Sequence, residues 1–380
     1  MKTNQSQKNT SKWVEKELGE VASFFNGKAH ENNISDNGKY VLINSKFVST
    51  NGLVAKNTDT CLSPLKKGDV TMVMSDVPNG KAIAKCFLVD KDNKYTLNQR
   101  IGGFRSDEIN SSFLYFLLNR NQYFLAFDDG VNQTNLRKDD ILECPLYFPP
   151  LPEQNRIVSI LETWDKTIQK LTRKIEIKKQ IKKGLADAFI LKSKNSKICY
   201  IEDLFDLGRG RVIARGEIEK NAGAYPVYSS QTSDDGVFGK INTYDFNGEY
   251  LTWTTDGANA GRVFYRNGKF NCTNVCGTAK LKAGLKVNLY FVASYLNYIT
   301  KNYVSYVGNP KLMNGVFGNI EIKLPDYKEQ TEIAEILNIS DAEIAGLEKK
   351  ISIIKEQKKY LLNNLITGAI RTPETLSAKS

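Results

Sequence analysis

Side chains able to do chemistry are few in these 380 residues. The single histidine, His30, sits in a polar stretch that reads as a surface loop, with nothing beside it to make it a base. Cys272 and Cys276 are separated by three residues, but no second Cys/His pair completes a zinc set, so both read as core thiols. The other cysteines, Cys61, Cys86, Cys144 and Cys199, are scattered without scaffold spacing, which suits a reducing cytoplasm. No G-x-x-x-x-G-K-[ST] loop occurs, and the GRGR at Gly208–Arg211 reads as a basic turn instead. The Asp/Asn-Pro-Pro-aromatic element of an amino-methyltransferase is missing, because Pro149-Pro150 lies between Phe148 and Leu151. Glu321 and Lys323 precede Pro325-Asp326, the reverse of the order in which a nuclease holds Mg²⁺. The expectation is a chain with no catalytic residue, no metal and no cofactor of its own.

What remains is charge and hydrogen bonding. The 53 Lys and Arg against 42 Asp and Glu leave a net charge of +11. Such a surplus favours a polyanionic partner, nucleic acid first, because protein cations displace counterions from phosphates. No run nears the roughly 20 apolar residues of a membrane span. The N-terminal MKTNQSQKNTS also lacks the apolar core of a signal peptide. The chain is therefore expected in the cytoplasm, with no membrane partner.

The elements that would position polar side chains announce themselves by repetition. The 40 residues from Leu151 match those from Tyr327 at a fixed offset of 176, from Glu153-Gln154 on Glu329-Gln330 to Ile190 on Ile366. Within them Ile157, Leu161, Trp164, Ile168, Leu171 and Ile175 alternate steps of four and three. Ile333, Leu337, Ile344, Leu347 and Ile351 follow the same register. That spacing is the seam of a coiled coil, so both segments read as long helices whose best partner is each other. The run Lys178, Lys179, Lys182 and Lys183 reads as a solvated helix face. The segments 12–150 and 194–323 are rich in short β-type runs and glycine turns, and they resemble one another more loosely. YVLINSK, from Tyr40, falls on YPVYSSQ, from Tyr225, and Ser75-Asp76 falls on Thr255-Asp256. Each half closes on a proline, Pro152 or Pro325, at its long helix.

The expected fold is therefore α+β. Two similar β-rich domains, 12–150 and 194–323, are separated by long helices at 151–193 and 324–371 in an internal pseudo-twofold repeat, with tails at 1–11 and 372–380. With PLPEQNRI opening one helix, KEQTEIAEIL the other, and YPVYSSQ, DGANAG and GFRS elements in the globules, the chain resembles the specificity subunits of type I restriction–modification systems over essentially its whole length. The resemblance implies two target-recognition domains, each reading one half of a split double-stranded DNA site. It implies an antiparallel helix pair that docks two methyltransferase subunits, and separate restriction/translocase subunits. S-adenosylmethionine, ATP and Mg²⁺ would sit on those partners. Two other readings fit the same residues: a specificity chain of a methylation-only or other restriction system, and a coiled-coil scaffold that ignores DNA.

Within the resemblance, turns carry the candidate reading residues. In the first domain they are Asn44, Ser45, Lys46, Ser75, Asn79, Lys81, Arg100 and Arg105. In the second they are Arg209, Arg211, Ser229, Ser230, Gln231, Thr254, Thr255, Asn259, Arg262 and Lys311. Asn and Gln pair with adenine edges and Arg with guanine, whereas Ser, Thr and Lys mostly hold phosphates. Tyr228, Trp253 and Tyr265 read as core.

Overall fold

The computed structural model describes residues 13–78, 80–192, 196–231 and 233–375, so Asn79, the expected N-terminal tail and the end of the C-terminal tail lie outside the description. The chain forms two compact units, one of residues up to Lys170 together with those from Ile351 onward, the other Leu171–Lys350.

In the first unit an antiparallel sheet runs Ser23–Asn26, Ile101–Arg105, Val70–Val73, Cys86–Leu88. Its central strand carries Gly102 and Gly103 because the rings of Phe24 and Phe25 on the neighbouring strand fill the space a side chain would take. A second sheet sets Tyr40–Ile43 parallel to Tyr95–Leu97. The helix Ser111–Leu118 buries Phe113, Leu114, Leu117 and Leu118, a helical stripe that seals the core.

The second unit repeats this plan in one six-stranded sheet, where Ala222–Tyr228 runs parallel to the end of Val263–Cys272. Strands Phe246–Thr254 and Val263–Cys272 form a long hairpin, with Gly248 facing Gly268. Both glycines have positive φ, 106° and 101°, which L-residues with a Cβ avoid. Phe270 lies opposite Phe246 while Cys276 lies opposite Thr254, yet only three residues join Cys272 to Cys276. The hairpin must curl to allow it, and the glycine pair is where it can. Trp253 is fully buried, stacks on Phe317 at 3.8 Å and donates its Nε1–H to the Leu312 carbonyl at 3.0 Å. It is core, as its sequence context suggested.

The long helices are Leu151–Lys192 and Tyr327–Ile366. In the first unit Asp165 pairs with Lys358 and Glu153 with Arg371. In the second Lys182 pairs with Asp341, Lys178 with Glu343 and Lys179 with Glu348. From Glu153 to Asp165 the partner steps back from Arg371 to Lys358, and from Lys179 to Lys182 it steps back from Glu348 to Asp341, so the helices are antiparallel within each unit. Of the lysines expected to form a solvated face, Lys178, Lys179 and Lys182 instead pair across the seam, while Lys183 is exposed. That explains why the second helix lacks the first one's basic surplus: it supplies the counter-charges.

Of the seam positions, Ile157 and Leu161 join the first unit's core, and Ile333 and Leu337 the second's. Ile175, Ile344 and Ile351 are also buried, while Trp164, Ile168, Leu171 and Leu347 are half-buried.

The repeated Glu-Gln pair has a structural reason. Gln154 is buried, accepts the Asn110 N–H at 2.9 Å and donates to the Pro149 carbonyl at 2.8 Å. Gln330 does the same with the Asn288 N–H and the Pro325 carbonyl, at 2.9 and 2.8 Å. Asn110 and Asn288 are the N-caps of the short helices beginning at Ser111 and Leu289. In each unit one glutamine therefore locks the start of a long helix to the start of a short one.

His30 departs from expectation. It is fully buried, with Nδ1 against the Lys28 carbonyl at 2.7 Å and Nε2 against Thr96 Oγ1 at 3.0 Å. Both ring nitrogens are satisfied, which is what lets a polar ring sit inside. No helix among the described residues is long and apolar enough to cross a membrane.

Candidate nucleic-acid interface

The candidate turns converge because backbone hydrogen bonds knit them into one rim per unit. In the first unit Gly27 N–H donates to Ile101 O, Lys28 N–H to Leu97 O and Asn98 N–H to Ile43 O. Met74 N–H then donates to Arg100 O, and Leu136 N–H to Met74 O. The second unit repeats every bond: Gly210 to Cys276, Arg211 to Cys272, Thr273 to Tyr228, Thr255 to Val275 and Leu312 to Thr255. Lys28 therefore matches Arg211, Asn44–Lys46 matches Ser229–Gln231, Asn98–Arg100 matches Thr273–Val275, and Asn135 matches Lys311. The frame is the same and the side chains differ.

This equivalence corrects the sequence alignment by one residue. Val73 and Thr254 occupy the same place in the ladders, so Ser75 falls on Asp256, not on Thr255. The second unit has one residue more between its bend glycine, Gly248, and the rim than the first has after Gly68.

In the first unit Asn44, Ser45, Lys46 and Arg100 line one cleft of about 310 Å³, together with Asn98 and Gln99. Asn44 caps the short helix Ser45–Ser49 by accepting the Phe47 N–H at 2.9 Å. Arg100 is exposed on a left-handed backbone, φ 67°, a conformation costing on the order of 1 kcal/mol for a non-glycine residue. Asp76 closes its own turn by accepting the N–H groups of Val77, Ala82 and Ile83, which leaves Lys81 exposed beside it. Ser75 is buried and donates to Asn135 Oδ1 at 2.6 Å. Arg105 is not on the rim. It ends the strand that begins there at Ile101, roughly 13 Å away at 3.3 Å per residue. Its guanidinium forks onto Asp69, 1% exposed, with both contacts at 2.7 Å.

In the second unit Asn259 and Arg262, both exposed, line a cleft of about 460 Å³ with Lys301 and Tyr306. Lys311 is exposed on the adjoining turn, bridged to Asp256. Arg209 braces the rim from behind, donating to the Asn274 carbonyl at 2.7 Å, Thr255 Oγ1 at 2.9 Å and Asp256 at 3.1 Å. Arg211 lies between Asp245 at 3.0 Å and Glu217 at 2.7 Å. Ser229, Ser230 and Gln231 are half-buried, and the Gln231 amide donates to the Val237 carbonyl. Thr254 and Thr255 are buried inside the rim.

Sequence reasoning missed Lys28, Asn98, Gln99, Asn274, Lys301 and Tyr306. The signal for Lys28 was available: Gly27-Lys28 repeats as Gly210-Arg211, each a glycine and a cation closing a strand. No group of His, Cys, Asp or Glu suited to a metal occurs among the described residues.

Residues 10–181 and 193–356 each match the model of the type I restriction modification DNA specificity domain, one match beginning in each half of the repeat. A Mycoplasma pneumoniae protein inferred to be a type I specificity subunit is 35% identical over 235 residues, covering 58% of this chain and 92% of its own. The crystal structure of a type I restriction–modification S subunit from M. genitalium superposes with a TM-score of 0.63 at 17% identity, over 96% of this chain and 98% of that one. A chain from a study of assembly and conformational transition in a type I R-M system gives 0.58 at 17% identity, over 94% and 98%. The two structures share the fold. The doubled frame and the doubled family match agree, and the chain belongs to the type I restriction–modification DNA specificity family, as an S subunit.

Proposed function

We propose that this S subunit is non-catalytic and reads a bipartite double-stranded DNA site, one half with the rim of each unit. The observation that carries the proposal is a hydrogen-bonded loop frame built twice with different side chains. A shared frame sets the approach to the duplex, and divergent side chains set the bases recognised. Exposed Lys28, Lys46, Lys81 and Arg100 in one unit, and Arg262, Lys301 and Lys311 in the other, supply phosphate and guanine donors. Asn44, which shares a cleft with Arg100, and Asn259, which shares one with Arg262, are adenine-pairing candidates. Arg105, Thr254 and Thr255 serve the frame instead.

The long helices dock two methyltransferase subunits, and through the complex the restriction/translocase subunits. In the first unit Trp164, Tyr360 and Leu361 line an apolar groove of about 490 Å³ that offers them a seat. S-adenosylmethionine, ATP and Mg²⁺ belong to those subunits. The test is to express the chain with its methyltransferase and map methylated adenines across a genome. The expected motif is two short specified halves around an unspecified gap. A continuous, unsplit motif would overturn the proposal.

A further inference from the structure

Arg266 lies within strand Val263–Cys272 with only 4% of its surface exposed. Its Cζ is 3.6 Å from the ring centroid of Tyr228 and 4.4 Å from that of Phe264. Nε faces Thr252 Oγ1 at 3.4 Å. The other two nitrogens reach outward: Nη2 donates to the Asp235 backbone carbonyl at 2.6 Å, and Nη1 to the Asp235 carboxylate. The Asp235 side chain is 72% exposed. A buried cation thus takes hold of a surface loop.

That loop needs holding. Asp234, Asp235 and Gly236 follow one another with φ of 49°, 51° and 82°, a left-handed run that L-residues resist. It is cross-tied by Ser229 N–H to Gly236 O at 3.0 Å and by the Gln231 amide to Val237 O. The loop opens on Ser229–Gln231, the rim segment equivalent to Asn44–Lys46. A guanidinium, unlike an ammonium, can lie flat against aromatic rings and fork onto a carboxylate and a carbonyl at once. Were Arg266 needed merely to fill the core, an apolar side chain of similar size would serve as well.

We infer that Arg266 is a positioning residue for sequence preference: it fixes the left-handed turn Asp234–Gly236 against Ser229–Gln231 and so sets which bases the second unit accepts. The inference rests on the rims being the DNA interface. The first unit shapes its equivalent segment differently, with the Asn44-capped helix, so the device belongs to one half-site only.

The experiment uses the complex with methyltransferase subunits, reading methylation motifs and competition between duplexes altered in one half. R266M and D235A are expected to lower preference for the second half-site at least tenfold. The first half-site and binding to random duplex should stay as in wild type, and R266K should recover part of the loss. If R266M does not fold, D235A decides, because its side chain stands in solvent. A second half-site preference unchanged in D235A, or in R266M still methylating at the first half-site, overturns the role of Arg266. Replacing Ser229–Gln231 by alanines separates the two ideas. If that erases the half-site while D235A and R266M do not, only the role of Arg266 falls. If it changes nothing, the rim reading falls with it.

Discussion

Glu153 is a carboxylate 2% exposed to water, held by a fork from Arg371 with both contacts at 2.7 Å. Burial is the largest single influence and works against its charge, but the Arg371 guanidinium together with further donors, among them the Thr372 N–H, outweighs it and holds the carboxyl below its usual range. A depressed carboxyl stabilises the fold above the unfolded pKa, and the gain is lost as pH falls through the folded value. Removing Arg371 strands the charge. Because the arginine is partly in solvent, the effect should fall below the 3–5 kcal/mol typical of a broken buried pair, at about 2 kcal/mol. R371A is therefore expected to melt earlier than wild type near neutral pH, with the gap narrowing in acid as Glu153 takes a proton. Thermal melts at several pH values check this, and a gap independent of pH would contradict it. At this scale the sequence was only partly legible. Charge and turn composition picked out Arg100 and Arg262, which are exposed on the rims. They could not show that Arg105 faces Asp69, or that His30 has partners for both nitrogens. Those outcomes depend on residues distant in sequence.

Elements were more legible than residues, since periodicity is written locally. The two long helices follow from apolar steps of three and four. The strand register was not legible to one residue, because backbone bonds set it while similar side chains suggested the neighbouring alignment. The Glu-Gln repeat was visible, but its purpose was not: Gln154 and Gln330 each tie a carbonyl just before their own helix to an N–H from a segment more than 40 residues away. Q154A and Q330A should each leave an N–H and a carbonyl unpaired and lose about 2 kcal/mol. Hydrogen exchange should report the loss in the first unit for Q154A and in the second for Q330A. Loss spread evenly over both units would show that the clamps are not local.

On the whole molecule, a net charge of +11 gathers partly on the rims, so binding should be strongly salt-dependent. Each rim cation on a phosphate adds about 0.9 to the slope of log affinity against log salt. In the assembled complex, K28A and K46A are each expected to flatten that slope by about 1 without altering the methylated motif. Titrations between low and physiological salt measure it, and a changed motif would move either lysine from phosphate holding to base reading. The composition of the units also bears on how the protein is made. The second unit is one continuous stretch, Leu171–Lys350, but the first draws core residues from both sides of it, including Leu361, Leu362 and Leu365. On the ribosome the earlier-started unit is therefore the later one finished. Its apolar interior around Phe113, Leu146 and Ile157 waits uncovered while nearly 200 further residues are translated, and chaperones should be needed most during that interval.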